Sequence, residues 1–197
     1  MFKIYYPCDF CYLLLRSDGK VLTSVEFVGV RGGKFEFGRE KFATSEKWAE
    51  FGENLHENLG QGAGKFKFEE NSCELLEQAR AQLGAYFAGT LREFSVPLAE
   101  FGSEFERRVY RVLREIPYGQ TASYAQIAAR VGRAKAARAV GNANAKNPLP
   151  IFVPCHRVVG ATSLGGYSGG AGLAGVKPLD IKRFLLKLEG SDLRGLE

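Results

Sequence analysis

No apolar run in this 197-residue sequence reaches the roughly 20 residues that a helix needs to cross a bilayer. The first nine residues also lack the long apolar core and the small-residue cleavage site of a signal peptide. Cysteine is scarce, and its four residues at irregular spacing indicate free thiols rather than a disulfide framework. These absences predict an intracellular, cytoplasmic protein without a membrane partner.

Acidic residues are few in the second half of the chain. The net charge is +5, but residues 1–100 carry 12 basic and 15 acidic residues, and residues 101–197 carry 15 and 7. Within 107–146 there are nine basic residues and one acid, Glu115. This clustering predicts a polyanion partner such as nucleic acid, and the alternative is a solvated charged surface.

The first half of the sequence predicts a small α/β domain with an antiparallel sheet. Residues 2–37 have the pattern of strands, with a hairpin turn at 17–20. A helix is predicted over 44–58, a short strand over 66–68, and a helix from a Ser72 cap to Phe87. We expect two domains, 1–97 and 98–197.

Cys8-x-x-Cys11 raises the question of a metal site. Two thiolates would need two further ligands, and Cys73 and His56 are the only obvious candidates nearby. We therefore interpret the pair as buried thiols and predict no metal.

The second half predicts two short helices joined through a glycine. A capping box of Ser123 with Gln126 opens the first of them, and a capping box of Ser103 with Glu106 opens an earlier helix. After Gly132, a helix predicted from about residue 134 to 145 is built of small residues and presents few long side chains. This helix-turn-helix pattern favours close, sequence-independent contact with DNA, and an ordinary helical hairpin is the alternative.

A cysteine and a histidine are adjacent in residues 150–159, Pro-Ile-Phe-Val-Pro-Cys-His-Arg-Val-Val. Pro154 argues against a helix, so Cys155 is expected at the end of a strand or in a tight turn after it. Neighbouring side chains in extended chain point to opposite faces, so a water or a bend would have to join His156 to the sulfur. The alternative is a buried structural cysteine.

Pro154-Cys155-His156-Arg157-Val158 resembles the active-site box of the O6-alkylguanine-DNA alkyltransferases. Further matching motifs are Asn147-Pro148-x-Pro150, Ile116-Pro117-Tyr118-Gly119, Ser123-Tyr124, Ala136–Gly141, Gly166–Gly170 and Leu188-Glu189-Gly190. The resemblance covers about residues 83–190 closely and the first eighty only loosely. Residues 171–180 depart from it as an insertion before the last helix, which is expected to run from Ile181 to Leu188.

The resemblance implies an RNase H-like amino-terminal domain and a winged-helix-like carboxy-terminal domain. It implies a cytoplasmic, nucleoid-associated monomer that acts on duplex DNA carrying O6-alkylguanine, and possibly O4-alkylthymine. The alkyl group would pass irreversibly to Cys155 without a metal or organic cofactor. Since a thioether is no leaving group near neutral pH, the protein would be consumed.

The family's roles map onto named positions of this sequence. The catalytic positions are Cys155 as nucleophile, His156 as water-mediated base, Glu189 as its support, Tyr124 as proton donor to guanine N3, and Asn147 as brace of the turn. The DNA-binding positions are Arg138, which would fill the vacated stack, Tyr124, Ala137, Ser123 and Lys135. The substrate-binding positions are Tyr167, Ser168 and Val153.

Three other functions are compatible with parts of the sequence. A non-catalytic protein that binds alkylated DNA would share the fold but lack the cysteine. A helix-turn-helix regulator would need a helix that reads base edges, which the alanine-rich helix disfavours. A cysteine hydrolase would turn over and would not need the basic cluster.

Overall fold

Three strands near the amino terminus form an antiparallel sheet. The computed structural model describes residues 1–8, 11–30, 70–169 and 176–196. β1 (Phe2–Pro7), β2 (Cys11–Ser17) and β3 (Leu22–Val30) lie side by side in that order. β1 buries alternate residues, whereas β2 is buried at every position from 11 to 15, as a central strand with both faces covered requires. The small antiparallel sheet predicted from the sequence is confirmed.

The hairpin turn between β2 and β3 is also confirmed. Gly19 has φ of +99°, a conformation that favours glycine. The Ser17 hydroxyl accepts the Gly19 amide at 2.9 Å, and Asp18 Oδ1 accepts the Lys20 amide at 2.8 Å. These side-chain oxygens satisfy the amides that the turn leaves without backbone partners.

Helix α1 (Glu74–Phe87) packs its apolar stripe, which includes Leu76, Ala79 and Leu83, into the core. The predicted cap at Ser72 is wrong. Cys73 is the N-cap residue, and its side chain makes no capping hydrogen bond. The Ser72 hydroxyl contacts the Glu77 carboxylate instead of capping the helix. The helix and strand predicted over 44–58 and 66–68 lie outside the described residues.

Both predicted capping boxes are present. Ser103 caps α2 (Glu104–Arg114) and pairs reciprocally with Glu106. Ser123 caps α3 (Tyr124–Arg130) and pairs with Gln126 in the same way. Just before α3, β4 (Ala122–Ser123) pairs in parallel with β5 (Val158–Val159), which ties the start of α3 to the chain after Cys155.

The second helix of the predicted pair begins later than expected. Gly132 has φ of +77° and ends the α3 segment, but α4 runs from Ala137 to Ala145 rather than from residue 134. The Ala136 amide bonds to the Arg133 carbonyl at 2.8 Å, so residues 133–136 form the turn that redirects the chain. Lys135 therefore lies in the turn, and Arg138 lies in the first turn of α4.

The last helix begins earlier than expected. α5 spans Pro178–Leu188, with proline in its first turn, where a missing amide hydrogen has no cost. The final three residues of the segment interpreted as an insertion thus belong to the helix, and residues 170–175 lie outside the described part. Glu189 is the C-cap, and Gly190 follows with φ of +71°.

The two halves of the chain share one core. The Leu22 amide donates to the Pro97 carbonyl at 2.8 Å, and the Val25 amide donates to Pro148 at 2.9 Å. The rings of Phe94 and Phe152 lie 4.4 Å apart. The sheet and α1 are therefore placed directly against the segment that carries Cys155.

No helix among residues 1–8, 11–30, 70–169 and 176–196 is long and apolar enough to cross a membrane. Cys8 and Cys11 are buried free thiols with sulfur atoms 3.0 Å apart. Within the described residues, no group of three or more His, Cys, Asp or Glu side chains is placed to hold a metal ion.

Candidate active site

Cys155 lies in a tight turn rather than in a strand. Residues Cys155–Arg157 form one turn of 3-10 helix directly after Pro154. This agrees with the prediction that the proline excludes an α-helix here. Upstream, Ile151 has φ of +76°, the single positive φ of a non-glycine residue in the described part of the chain. A β-branched residue in this conformation is strained, so the surrounding contacts must hold the turn.

Asn147 provides several of those contacts. Its amide nitrogen donates to the Val153 carbonyl at 2.8 Å and lies 3.2 Å from Cys155 Sγ. Its amide oxygen accepts the Leu149 amide at 3.0 Å. One side chain thus spans both ends of the strained turn and points a donor at the sulfur.

The Cys155 thiol is almost fully buried. Burial raises the pKa of Cys155, while the Asn147 amide and the charge of Lys182 act in the opposite direction. Because the thiolate is the reactive form of cysteine, the resting thiol needs a base to remove its proton.

His156, the next residue, has a ring nitrogen that is free to accept a proton. Its Nε2 lies 2.8 Å from Glu189 Oε1, and a carboxylate can only accept, so Nε2 carries the proton. Nδ1 then has a free lone pair, and it is buried without a hydrogen-bond partner among the described residues. Burial lowers the pKa of His156, with Glu189 opposing it, so a neutral ring is favoured at neutral pH.

Glu189 is the centre of a buried hydrogen-bond network. Besides His156, it accepts Arg157 Nε at 2.8 Å, Arg157 Nη2 at 3.0 Å, the Gly119 amide at 3.2 Å and the Tyr86 hydroxyl at 2.7 Å. Burial alone would favour the protonated acid. The bonds from His156 and Arg157 nevertheless hold the pKa of Glu189 well below its usual value, so it stays charged.

A cavity of about 500 Å³ opens onto the sulfur. Six of the residues selected from the sequence line it: Tyr124, Ala137, Arg138, Cys155, Tyr167 and Ser168. The buried side chains of His156, Glu189 and Val153, and the partly buried Asn147, lie off the cavity wall. Ser123 caps α3 and Lys135 lies in the turn before α4, and neither lines the cavity.

The hydroxyl groups of the cavity wall differ in their partners. Tyr124 donates to the Gly166 carbonyl at 3.3 Å, and Ser168 donates to the Ala145 carbonyl at 3.0 Å. The Tyr167 hydroxyl is buried without a partner among the described residues. A Cβ at Gly165 would meet the Tyr124 ring at 2.8 Å, so glycine leaves the room that this ring position needs.

Lys182 is a site residue that the sequence did not reveal. It is fully buried in α5, and its ammonium donates to the carbonyls of Val158 at 2.5 Å, Leu164 at 2.6 Å and Gly166 at 3.1 Å. These carbonyls belong to the chain just after the cysteine turn and to the cavity wall. Lys182 therefore joins both segments to α5.

Comparison with known proteins identifies the family. The family model described as "6-O-methylguanine DNA methyltransferase, DNA binding domain" matches residues 104–191. A methylated-DNA–protein-cysteine methyltransferase of Methanosarcina acetivorans is 41% identical over 182 residues, covering 91% of this chain and 98% of that protein. The chain belongs to the methylated-DNA–protein-cysteine methyltransferase family.

Two further members support the assignment over much of the chain. The constitutive methylated-DNA–protein-cysteine methyltransferase of Bacillus subtilis is 43% identical over 149 residues, which are 75% of this chain and 80% of that protein. The crystal structure of Mycobacterium tuberculosis OGT in complex with DNA superposes with a TM-score of 0.67 at 35% identity, covering 94% of this chain and 91% of that one. The resemblance predicted from the cysteine box is confirmed.

The basic cluster of this methyltransferase is partly neutralised by its own side chains. Four of its nine basic residues are in ion pairs: Arg107, Arg108, Arg130 and Lys146. A fifth, Arg133, lies over the Phe105 ring and keeps its charge. The other four, for which the described residues provide no ion pair, are Arg111, Arg114, Lys135 and Arg138. Fewer positive charges are therefore available to bind DNA than the nine basic residues of the sequence suggest.

Besides Lys182, three residues of the site were missed or underrated from the sequence. Arg157 was visible inside the cysteine box, but its inward bond to Glu189 was not. Tyr86 lies 103 residues from Glu189, and no local pattern marks that contact. Asn144 lines the cavity, and both polar atoms of its amide are buried without a partner among the described residues.

Proposed function

We propose that the protein repairs O6-alkylguanine in duplex DNA by moving the alkyl group irreversibly to Cys155. One observation carries this proposal: the Cys155 sulfur faces a cavity of about 500 Å³, large enough for a flipped base. Asn147 points a donor at this sulfur, and a charged Glu189 supports His156 beside it.

The reaction is one displacement. His156 Nδ1 takes the thiol proton through a water, and the thiolate attacks the alkyl carbon as the bond from that carbon to O6 breaks. The electron pair of that bond stays on the purine, and Tyr124 protonates N3 as guanine leaves. The sulfur exchanges its bond to hydrogen for a bond to carbon, and no atom is oxidised or reduced by an outside reagent. We therefore propose no cofactor.

A base inside the stack cannot reach Cys155, so the nucleotide must be extruded. We propose that α4 approaches the minor groove, with Ala137 allowing close contact and Arg138 filling the vacated stack. Both residues lie in the first turn of α4, on the rim of the cavity. Lys135 directly precedes that turn, and Ser123 caps α3; we propose that both contact phosphates.

Recognition of the base is assigned to the inner wall. We propose that Tyr167 packs against the guanine and that Ser168 binds its polar edge. The Val153 backbone, whose carbonyl accepts the Asn147 amide at 2.8 Å, would act from behind the wall by holding the cysteine turn. Ser168 donates its hydrogen to Ala145, so its oxygen remains available as an acceptor. O4-alkylthymine is proposed as a second substrate.

Several finer expectations belong to the same proposal. We propose that residues 1–97 form an RNase H-like domain and residues 98–197 a winged-helix-like domain. The backbone bonds between Leu22 and the segment Pro97–Ala99 would then join the two. We also propose a nucleoid-associated monomer in the cytoplasm, where the DNA substrate lies.

The test is an intact-mass measurement after incubation with excess duplex containing O6-methylguanine. We expect one methyl group per protein molecule, mapped to Cys155, with no further turnover. Cys155→Ala should bind the lesion duplex without gaining mass, and Cys73→Ala should react like the parent. Repeated turnover would indicate a hydrolase, and binding without modification of the parent would indicate a lesion-binding protein or regulator.

A further inference from the structure

Tyr86 reaches the candidate active site from the amino-terminal part of the chain. It lies near the end of α1, its side chain is fully buried, and its hydroxyl is 2.7 Å from Glu189 Oε1. That oxygen is the same one that lies 2.8 Å from His156 Nε2. One carboxylate oxygen is therefore shared by a residue of α1 and by the candidate base.

The sharing is a competition. A carboxylate only accepts, so the Tyr86 hydroxyl must donate, as must His156 Nε2. Oε1 also accepts Arg157 Nη2 at 3.0 Å, while Oε2 accepts Arg157 Nε and the Gly119 amide. Five donors thus meet about four acceptor directions, so each added donor weakens the hold of Oε1 on the others.

We propose that Tyr86 is a positioning residue that sets the strength of the Glu189–His156 bond and so makes α1 part of the alkyl-transfer centre. It touches neither substrate nor sulfur. The inference rests on the proposed function, because His156 must act as the base for its basicity to matter.

The ring of Tyr86 is fixed independently of its hydroxyl. Its centroid lies 5.3 Å from that of Phe87, 5.3 Å from Phe94 and 6.0 Å from Tyr118. Tyr86→Phe therefore removes the donor and keeps the packing. It isolates the hydrogen bond from the apolar contacts of the ring.

The direction of the effect follows from the charge on Oε1. Without the Tyr86 donor, Glu189 attracts the His156 proton more strongly and stabilises the charged imidazolium. His156 then stays protonated to a higher pH, and it serves as a base only when the pH exceeds its raised pKa. The acidic limb of the rate–pH profile should move to higher pH, by about 0.5–1 unit.

Other ionisable groups around this centre are the same in parent and variant. Those that face Glu189 and His156 are Arg157 from the 3-10 turn, Lys182 from α5, Tyr118 from the segment before β4, and Cys155 itself. Tyr118 provides a matched control, because its hydroxyl donates to the Leu188 carbonyl at 3.1 Å and not to Glu189.

The experiment follows transfer from the free base O6-benzylguanine, which removes DNA binding and flipping from the rate. Single-turnover modification of Cys155 is measured by intact mass from about pH 5 to 9. Tyr86→Phe should shift the acidic limb upward, and Tyr118→Phe should leave the limb where the parent has it. A purely structural Tyr86 would lower the rate equally at every pH, and an unshifted limb in Tyr86→Phe overturns the proposal.

A second substitution keeps the test decisive if Tyr86→Phe does not fold, as judged by thermal melting. Replacing Tyr86 with 3,5-difluorotyrosine strengthens the donor, so the limb should move to lower pH, and no movement overturns the proposal. Failure of the proposed function would look different, because the parent itself would show no Cys155 modification at any pH.

Discussion

Asn147→Asp tests the electrostatics of the sulfur with a change of only a few atoms. The substitution keeps an oxygen to accept the Leu149 amide, but it replaces the nitrogen 3.2 Å from Cys155 Sγ with a carboxylate oxygen. A donor that favours the thiolate becomes an anion that opposes it. The variant also loses the bond to the Val153 carbonyl, so its stability is compared with that of a variant without any brace.

The magnitude follows from the distance. At 3.2 Å and an effective dielectric constant of about 20, two unit charges repel by about 5 kcal/mol. A full 5 kcal/mol would reduce the thiolate by more than a thousandfold, and partial protonation of the new carboxyl reduces the effect. We expect transfer from O6-benzylguanine at neutral pH to slow by on the order of 100- to 1,000-fold.

Two variants separate charge from bracing. Asn147→Ala leaves the Val153 carbonyl and the Leu149 amide without this partner, so it should lower the free energy of unfolding by about 2–4 kcal/mol. Asn142→Asp adds the same charge to the cavity wall away from the Asn147–sulfur contact and should slow transfer far less. If Asn147→Asp reacted at the parent rate while folded at the assay temperature, the assigned role of the amide would be wrong.

Four further outcomes are expected. Arg138→Ala should slow repair of duplex DNA strongly but leave the rate with free O6-benzylguanine nearly unchanged, and equal losses on both would refute a flipping role. Four basic residues without local partners predict that log affinity for DNA falls with log salt with a slope near −4, about −0.9 per phosphate, and a slope near −8 would mean that the ion-paired residues also bind. Because the pKa of Glu189 is held below its unfolded value, its stabilisation is complete above about pH 4.5 and is lost as the pH falls, so Glu189→Gln should flatten the melting temperature between about pH 5 and 3. Burial lowers the pKa of Lys182 to about 8, so the transfer rate should fall as its ammonium is lost above that pH, and Lys182→Arg should remove this alkaline limb.

Local signals in the sequence predicted much of the fold. A capping box is satisfied by residues three apart, so Ser103 with Glu106 and Ser123 with Gln126 needed no tertiary information. The turn at Gly19 is local in the same sense. Helix starts without such signals were predicted less well, as α4 and α5 show. Alanine favours helix at residues 134–136, but the chain must turn there to pack α4 against α3, and packing overrides propensity.

The chemistry of the site was less accessible from the sequence. The cysteine box predicted Cys155 as the nucleophile and pointed to the residues beside it. The groups that set the protonation states of these residues come from distant segments. Lys182 was not selected because charged residues are rarely buried, and its partners are backbone carbonyls, which have no sequence signature. Tyr86 was not selected either, because its contact with Glu189 depends on the packing of α1.

The buried charges support the proposed role of a neutral His156 as the base. Arg157 balances Glu189, so the carboxylate does not require a protonated His156 to offset it. The charge of Lys182 favours the ionised form of Cys155, and the ammonium itself donates to three backbone carbonyls. Within the described residues Lys182 has no ion-pair partner, so the thiolate would supply one as it forms. Stabilisation that appears only at that step lowers the barrier to reaction without making the resting protein a reactive thiolate.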